Sequence, residues 1–263
     1  MTRYPASVRA RVLLRSFLIQ GSWNYETLIG PGFAFTLLPA LRYLHKQRGE
    51  SGVPQAGGPD GATGETLEQA VARHVELFNS HPYFATVAVG AVAKMEADGT
   101  PPAIIERFKL ALRGSLGSLG DRLVWSAWRP MTAIIGVVLF LAGAPWWAAV
   151  ASFLIVYNSL HFAVRYLGLR MGARSGLDLG GVLREAPIQP VAERASQIAC
   201  ALIGLAVVLA VSVTENNPGR LAMAVVAVAL GLALGSRTRK ILTGLLWAAV
   251  AFALLLGLLG YGA

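Results

Sequence analysis

Four polar residues stand where apolar sequence is interrupted. Asn24 and Glu26 precede the break Gly30-Pro31-Gly32, and Asn79 and His81 lie in the corner Asn79-Ser80-His81-Pro82. Amide, carboxylate and imidazole groups offer donors and acceptors, so together they can hold a polar solute by hydrogen bonds. Pro82 disfavours helical geometry at His81 and so turns the backbone there. At Asn24 and Glu26 two readings stand. Trp23-Asn24-Tyr25-Glu26 is either an interfacial turn with belt aromatics or part of a polar cluster lining a substrate cavity. The chain has no Walker sequence and no kinase signature,. It is expected to have no catalytic residue, no cofactor and no metal.

A second set lies in Gly114-Ser-Leu-Gly117-Ser-Leu-Gly120-Asp121, followed by Trp125, Trp128 and Arg129-Pro130. A helix starting at Asp121 would use that carboxylate as its N-cap, accepting from the free amides of the first turn. The three glycines would let the chain turn sharply or let another helix come close. Arg129 would anchor at a membrane interface. A third set is Asn158, His161, Arg165, Gly168 and Gly172, which step by three and four residues and so share one helix face. An Asn and a His facing lipid are unfavourable, so this face looks at protein. Interhelical hydrogen bonding with a snorkelling Arg165 is one role for it, and a place on a transport path is the other.

The elements that position these residues are set in an apolar chain. Of 263 residues, 14% are charged, against roughly 25% in soluble domains, and the long apolar runs lie in the second half,. The fold class expected is all-α. It is a polytopic membrane protein with broken or re-entrant helices in its N-terminal half and several transmembrane helices in its C-terminal half. Residues 5–20 form a basic amphipathic helix, with Val8, Val12, Leu13, Phe17 and Leu18 in one stripe flanked by arginines. Such a helix lies on an anionic membrane surface or against a partner helix. The apolar run after Arg15 is too short for a signal peptide, which places the N-terminus in the cytoplasm.

Thr27 to Leu44 is apolar but broken by Gly30-Pro31-Gly32 and Pro39. Bare backbone at such a break is tolerated in a bilayer only under a cover of protein or water. Residues 49–64 are Gly, Pro, Ala, Ser and Asp rich and form a flexible linker. A helix restarts near Glu65, where Thr66 and Gln69 fit a capping box. Leu67, Ala70, Val71, His74, Val75 and Phe78 share one face, with His74 on the helix surface or in its packing. From Pro101 a further amphipathic helix sets Ile104, Ile105, Phe108 and Leu112 opposite Glu106, Arg107, Lys109 and Arg113. The organisation is thus 1–48, a linker at 49–64, a helical region at 65–130 and a transmembrane region at 131–263.

Candidate spans are Met131–Gly143, Trp146–Val164, Gln197–Thr214, Leu221–Gly235 and Ile241–Tyr261. The first and fourth fall short of the roughly 20 residues a straight span needs, and Trp125 and Trp128 suggest an extension of the first. Net charge is +9, which in such a chain marks cytoplasmic loops rather than a nucleic-acid surface. The positive loops at 165–194 and 237–240 then lie inside and the C-terminus outside. Cys200, the single cysteine, excludes an internal disulfide,.

Four blocks taken jointly resemble a known family. They are Arg15-Ser-Phe-Leu-Ile-Gln20-Gly-Ser-Trp23-Asn24-Tyr25-Glu26 with Gly32-Phe33 and Leu37-Leu38-Pro39-Ala40-Leu41; His74-Val-Glu-Leu-Phe78-Asn79-Ser-His81-Pro82-Tyr83; Gly117-Ser-Leu-Gly120-Asp121 with Trp125 and Arg129-Pro130; and Tyr157-Asn158 with His161, Arg165, Tyr166 and Gly168. In order and spacing they resemble the IID membrane subunit of the mannose/fructose/sorbose-type sugar phosphotransferase system.

The resemblance implies a non-catalytic subunit that forms a sugar pathway with a IIC membrane subunit, in an oligomer of such pairs. Soluble IIA and IIB phosphocarrier proteins would supply the phosphate. Asn24, Glu26, Asn79 and His81 would then offer hydroxyl-binding groups to a hexose-type sugar, with Trp23 or Tyr25 against its apolar ring face. Asp121, Arg129, Asn158, His161 and Arg165 would serve structure and interfaces. Membrane lipid is the surrounding partner, and no nucleic acid is expected. The alternative is a non-transporting receptor, scaffold or regulatory subunit that keeps the same fold.

Overall fold

The structure, a computed structural model, describes residues 4–50 and 65–214. Among these residues the chain is helical, and its only β contacts are isolated bridges between Asn24 and Leu28 and between Leu28 and Phe78. The helices are α1 (Ala6–Ser16), α2 (Gly30–Glu50), α3 (Leu67–Val75), α4 (Ala85–Ala97), α5 (Pro102–Gly120), α6 (Arg129–Leu141), α7 (Trp146–Ser175), α8 (Leu179–Glu185) and α9 (Ile188–Thr214). A π-helical segment, Asp121–Trp128, joins α5 to α6. The protein is an all-α membrane protein. Residues 51–64 and the last two expected spans lie outside the described residues.

The chain forms two compact units. The described residues of 1–122 and 158–188 make the first, and those of 123–157 and 189–263 make the second. In the first unit α4 is buried on nearly every side. Its sequence, Ala-Thr-Val-Ala-Val-Gly-Ala-Val-Ala, explains this, because small side chains let neighbouring backbones come close. A β-carbon at Gly90 would overlap the Leu169 carbonyl, and one at Gly172 would overlap the Val87 carbonyl. Gly168 and Gly172 therefore turn toward protein, as the spacing of that face requires. The Tyr4 hydroxyl donates to the Ala93 carbonyl at 2.6 Å and ties the N-terminal segment to α4.

In the second unit the large side chains point outward. Trp146, Trp147, Val150, Leu154 and Ile155 are exposed on α7, and Ile198, Ile203, Leu205 and Val207 on α9. Two helical stretches, Pro102–Leu141 (40 residues) and Trp146–Ala210 (65 residues, the latter comprising α7, α8 and most of α9), are long and apolar enough to cross a membrane. The first expected span is thus not short, since it continues α5 through the π-helical segment.

Three local expectations need correction. Asp121 does not cap a helix: α5 runs into it without a break and Asp121 keeps helical dihedrals. Pro130 supplies a reason for the π geometry, since its ring clashes with the carbonyl four residues back and it donates no amide hydrogen, which widens the turn before it. The Gly30-Pro31-Gly32 break falls at the start of α2, and Pro39 is carried inside that helix. Lys109 faces inward with Ile105, Leu112 and Leu116 rather than outward. Its Nζ donates to the Arg73 carbonyl at 3.0 Å and lies 5.4 Å from the centre of the Phe33 ring.

Candidate substrate-binding site

Two loops carry the four residues set apart by sequence, and backbone hydrogen bonds join them. The Ile29 amide donates to the Phe78 carbonyl, and the Phe78 amide donates to the Thr27 carbonyl, both at 3.2 Å. The loop before α2 and the loop after α3 are thereby held side by side. The first loop closes on itself, with Leu28 donating to the Asn24 carbonyl at 2.9 Å. Leu28 has φ of +55°, a left-handed conformation that a branched side chain rarely adopts,. Such strain persists only where surroundings hold it, here the bridges to Asn24 and Phe78,.

Asn24 builds this loop. Its Oδ1 accepts from the amides of Glu26 at 2.9 Å and Thr27 at 2.8 Å, and its Nδ2 donates to Thr27 Oγ1 at 2.8 Å. This is the turn that Asn forms by replacing a backbone acceptor. Held by it, Glu26 and Tyr25 are exposed, and the Trp23 and Tyr25 rings meet edge to face with centroids 4.8 Å apart. Asn79 is exposed on the second loop.

His81 is buried. Its ring packs against Gly120, where any β-carbon would overlap His81 Cβ and Cγ. Its Nδ1 accepts from the Tyr83 amide at 3.2 Å, and its ring meets Tyr83 edge to face at 4.9 Å. Gly120 is thus the one glycine of its run whose missing side chain is explained by a neighbour. At Gly114 and Gly117 a β-carbon would meet nothing within 4 Å.

Around Tyr83 the structure assembles a cluster drawn from three of the four sequence blocks. His161 stacks on Tyr83 with centroids 4.0 Å apart and planes 10° apart. The Arg165 guanidinium sits 5.0 Å from the Phe17 ring centre and 5.1 Å from that of Tyr83. Its Nε donates to His161 Nε2 at 2.7 Å, and Nη1 donates to the Ser16 carbonyl at the end of α1. Arg165 does not snorkel; it is 3% exposed. Phe17 and Tyr83 were invisible as site residues, because an aromatic in an apolar run carries no polar signal. Their position inside the blocks was the only hint.

Asp121 and Arg129 are exposed, and the Arg129 guanidinium lies 5.3 Å from the Trp125 ring centre. Asn158 is half-buried on α7.

A second polar centre escaped sequence reasoning. His74, fully buried in the packing and so the second of the two readings, places Nε2 2.9 Å from Glu96 Oε1. Arg73 donates to the same oxygen at 2.8 Å and to Glu65 at 2.7 Å. Burial lowers the His74 pKa, and the hydrogen bond to Glu96 only partly opposes it. His74 is therefore a neutral donor to Glu96, not the cation of an ion pair. Its Nδ1 then keeps a buried lone pair with no hydrogen-bond partner among the described residues, which is cheaper to bury than a bare N–H. Burial would raise the Glu96 carboxyl, but His74 and Arg73 together hold it below the usual range.

Comparison with known proteins gives a consistent result. The family described as "PTS system mannose/fructose/sorbose family IID component" matches residues 6–56 and 60–259. The mannose-specific EIID component of Escherichia coli (strain K12) is 30% identical over 198 residues, covering 73% of this chain and 64% of that protein's length. The sorbose-specific EIID component of Klebsiella pneumoniae is 30% identical over 205 residues, covering 74% of this chain and 67% of its own. Among solved structures, a chain of the mannose transporter ManYZ in complex with microcin E492 matches with a TM-score of 0.55 and 26% identity. That match covers 98% of this chain and 97% of the other.

Proposed function

The chain belongs to the mannose/fructose/sorbose family of phosphotransferase-system IID components, and from that membership we propose that it forms a sugar pathway together with a IIC membrane subunit. Soluble IIA and IIB proteins deliver phosphate to the sugar as it arrives in the cytoplasm, and this chain conducts without catalysing. Its N-terminus lies in the cytoplasm. Glu26 and Asn79 present hydroxyl-binding groups to a hexose-type sugar, and Tyr25 covers an apolar ring face. Asn24 shapes the loop that presents them, and His81 seats the second loop against Gly120.

One observation carries this site: the backbone bonds that join Thr27 and Ile29 to Phe78. They set two loops beside each other, distant in sequence, and each displays an exposed polar side chain.

The test is uptake and phosphorylation of a labelled hexose in cells expressing the chain with its IIC, IIB and IIA counterparts. Omitting this chain abolishes uptake. Glu26→Gln and Asn79→Ala each reduce it about tenfold, the effect of losing one hydrogen bond to a sugar hydroxyl, and His81→Ala reduces it by unseating the second loop from Gly120. Uptake at the unsubstituted level in both Glu26→Gln and His81→Ala overturns the site. Uptake unaffected by omission of the chain overturns the function.

A further inference from the structure

The outer face of α1 and α2 combines features that a soluble surface avoids. Leu14 on α1 and Leu18 just past its end are 67% and 62% exposed, and Phe35 on α2 is 40% exposed. Arg11 on α1 and Arg42 on α2 are exposed. Arg15 links the two helices, with its guanidinium 4.4 Å from the Phe35 ring centre and its Nη1 donating to the Phe35 carbonyl at 3.1 Å. The charges that act on Arg15 are those of Arg42 and Arg11, which after burial press its pKa down. From Met1 to Gly49 the sequence has seven Lys and Arg and one acid, Glu26. Among the described residues no carboxylate pairs with Arg11, Arg15 or Arg42.

The opposite face of α1 is already used. Val8, Val12 and Ser16 are buried against the rest of the first unit. The exposed leucines are therefore not needed for internal packing. Three arginines on α1 and α2 without an acid partner among the described residues call for an anion, and three exposed apolar side chains call for hydrocarbon. A phospholipid with an anionic headgroup supplies both within a few ångströms, at the boundary where headgroup meets acyl chain. The planar fork of arginine matches a phosphate, which lysine would meet only as a point charge.

We propose that Arg11, Arg15 and Arg42, with Leu14, Leu18 and Phe35, form a binding surface for anionic phospholipid on the first unit. It holds α1 flat at the cytoplasmic leaflet. The surface does not depend on sugar transport, so its failure and the failure of the functional reading are separable.

The experiment uses the full chain reconstituted in vesicles of phosphatidylcholine with phosphatidylglycerol. It is extracted in mild detergent, and its retained lipid is identified by native mass spectrometry. The unsubstituted chain retains phosphatidylglycerol in preference to phosphatidylcholine, and raised salt weakens the preference. The double substitution Arg11→Gln/Arg42→Gln leaves melting in pure phosphatidylcholine unchanged, since both side chains are exposed. It lowers phosphatidylglycerol retention on the order of 20-fold, from the loss of two surface arginines. A photocrosslinker at position 18 labels lipid. Equal preference in chain and variant overturns the proposal, and so does crosslinking of position 18 to a protein subunit in the assembled complex.

Discussion

Two buried arginines in the same unit are held in opposite ways. Arg73 is 6% exposed and meets two carboxylates, Glu65 and Glu96, with His74 sharing the second. Arg165 is 3% exposed and meets none among the described residues. It has two aromatic rings, an imidazole nitrogen and the Ser16 carbonyl. The first is a compensated charge set that joins α3 to α4. Removing one member leaves other charges buried without partners. The second is a cation kept by rings and dipoles, including the partial negative charge at the end of α1. Removing it strands no opposite charge. The lesson is that burial alone does not rank these residues; what a substitution leaves behind does.

The largest expected effect breaks the acidic centre. Glu96→Ala takes the shared acceptor from both Arg73 and His74, and loss of one member of a buried pair costs about 3–5 kcal/mol. Glu65 remains on Arg73 and sets the result toward the lower end. Thermal unfolding of the full chain in detergent measures it. Arg165→Met comes second, at about 1–2 kcal/mol. It loses both cation–π contacts and the hydrogen bonds to the Ser16 carbonyl and His161 Nε2 but keeps an apolar stem between Phe17 and Tyr83,. If Arg165→Met destabilises as much as Glu96→Ala, the contrast between the two centres is wrong.

Part of this contrast was legible in the sequence. The Thr66–Gln69 capping box formed as read, with the Thr66 side chain accepting from the Gln69 amide, because a cap is a local contact four residues wide. The shared face of Arg165, Gly168 and Gly172 was legible from helical spacing, since one period fixes which side chains point together. Glu96 was not, because nothing within its own segment tells that Arg73 and His74, over twenty residues away, will converge on it. Lys109 misled for a related reason: a charge on an amphipathic helix is expected in water, and only the Arg73 carbonyl and the Phe33 ring make the inward position tenable. Asp121 misled because capping chemistry competed with a glycine run that helical packing against His81 requires at Gly120. Of the candidate site, the two loops were legible from their breaks, and their pairing through Phe78 was not, since it depends on backbone hydrogen bonds between distant segments.

The acidic centre also predicts a pH dependence that the aromatic centre lacks a carboxylate to share. The His74 pKa is lowered in the folded chain, so the unfolded chain binds a proton first as pH falls,. The stability His74 contributes is complete above its ordinary value of 6.5 and is lost on acidification below it. Glu96, also lowered, adds a second loss below its ordinary 4.5. Glu96, Arg73 and Lys109 are the charges that act on His74. In His74→Gln the side-chain amide still reaches Glu96 but does not titrate. Melting of this variant between pH 7.5 and 5.5 is flatter than that of the unsubstituted chain. An equal slope in the two would assign the loss to other groups.

The smallest effect separates the two carboxylates on Arg73. The Glu65 side chain is 31% exposed, whereas that of Glu96 is 7% exposed. Water therefore screens the Glu65 pair and can replace its carboxylate, which limits its contribution to about 0–1 kcal/mol. Glu65→Gln keeps the shape and one acceptor for the Arg73 guanidinium and leaves the Glu96 contact in place. Its melting temperature falls by no more than about 4 °C. A fall equal to that of Glu96→Ala would mean that Arg73 depends on Glu65 as its main partner. The charge set would then be anchored at the start of α3 instead of at the end of α4.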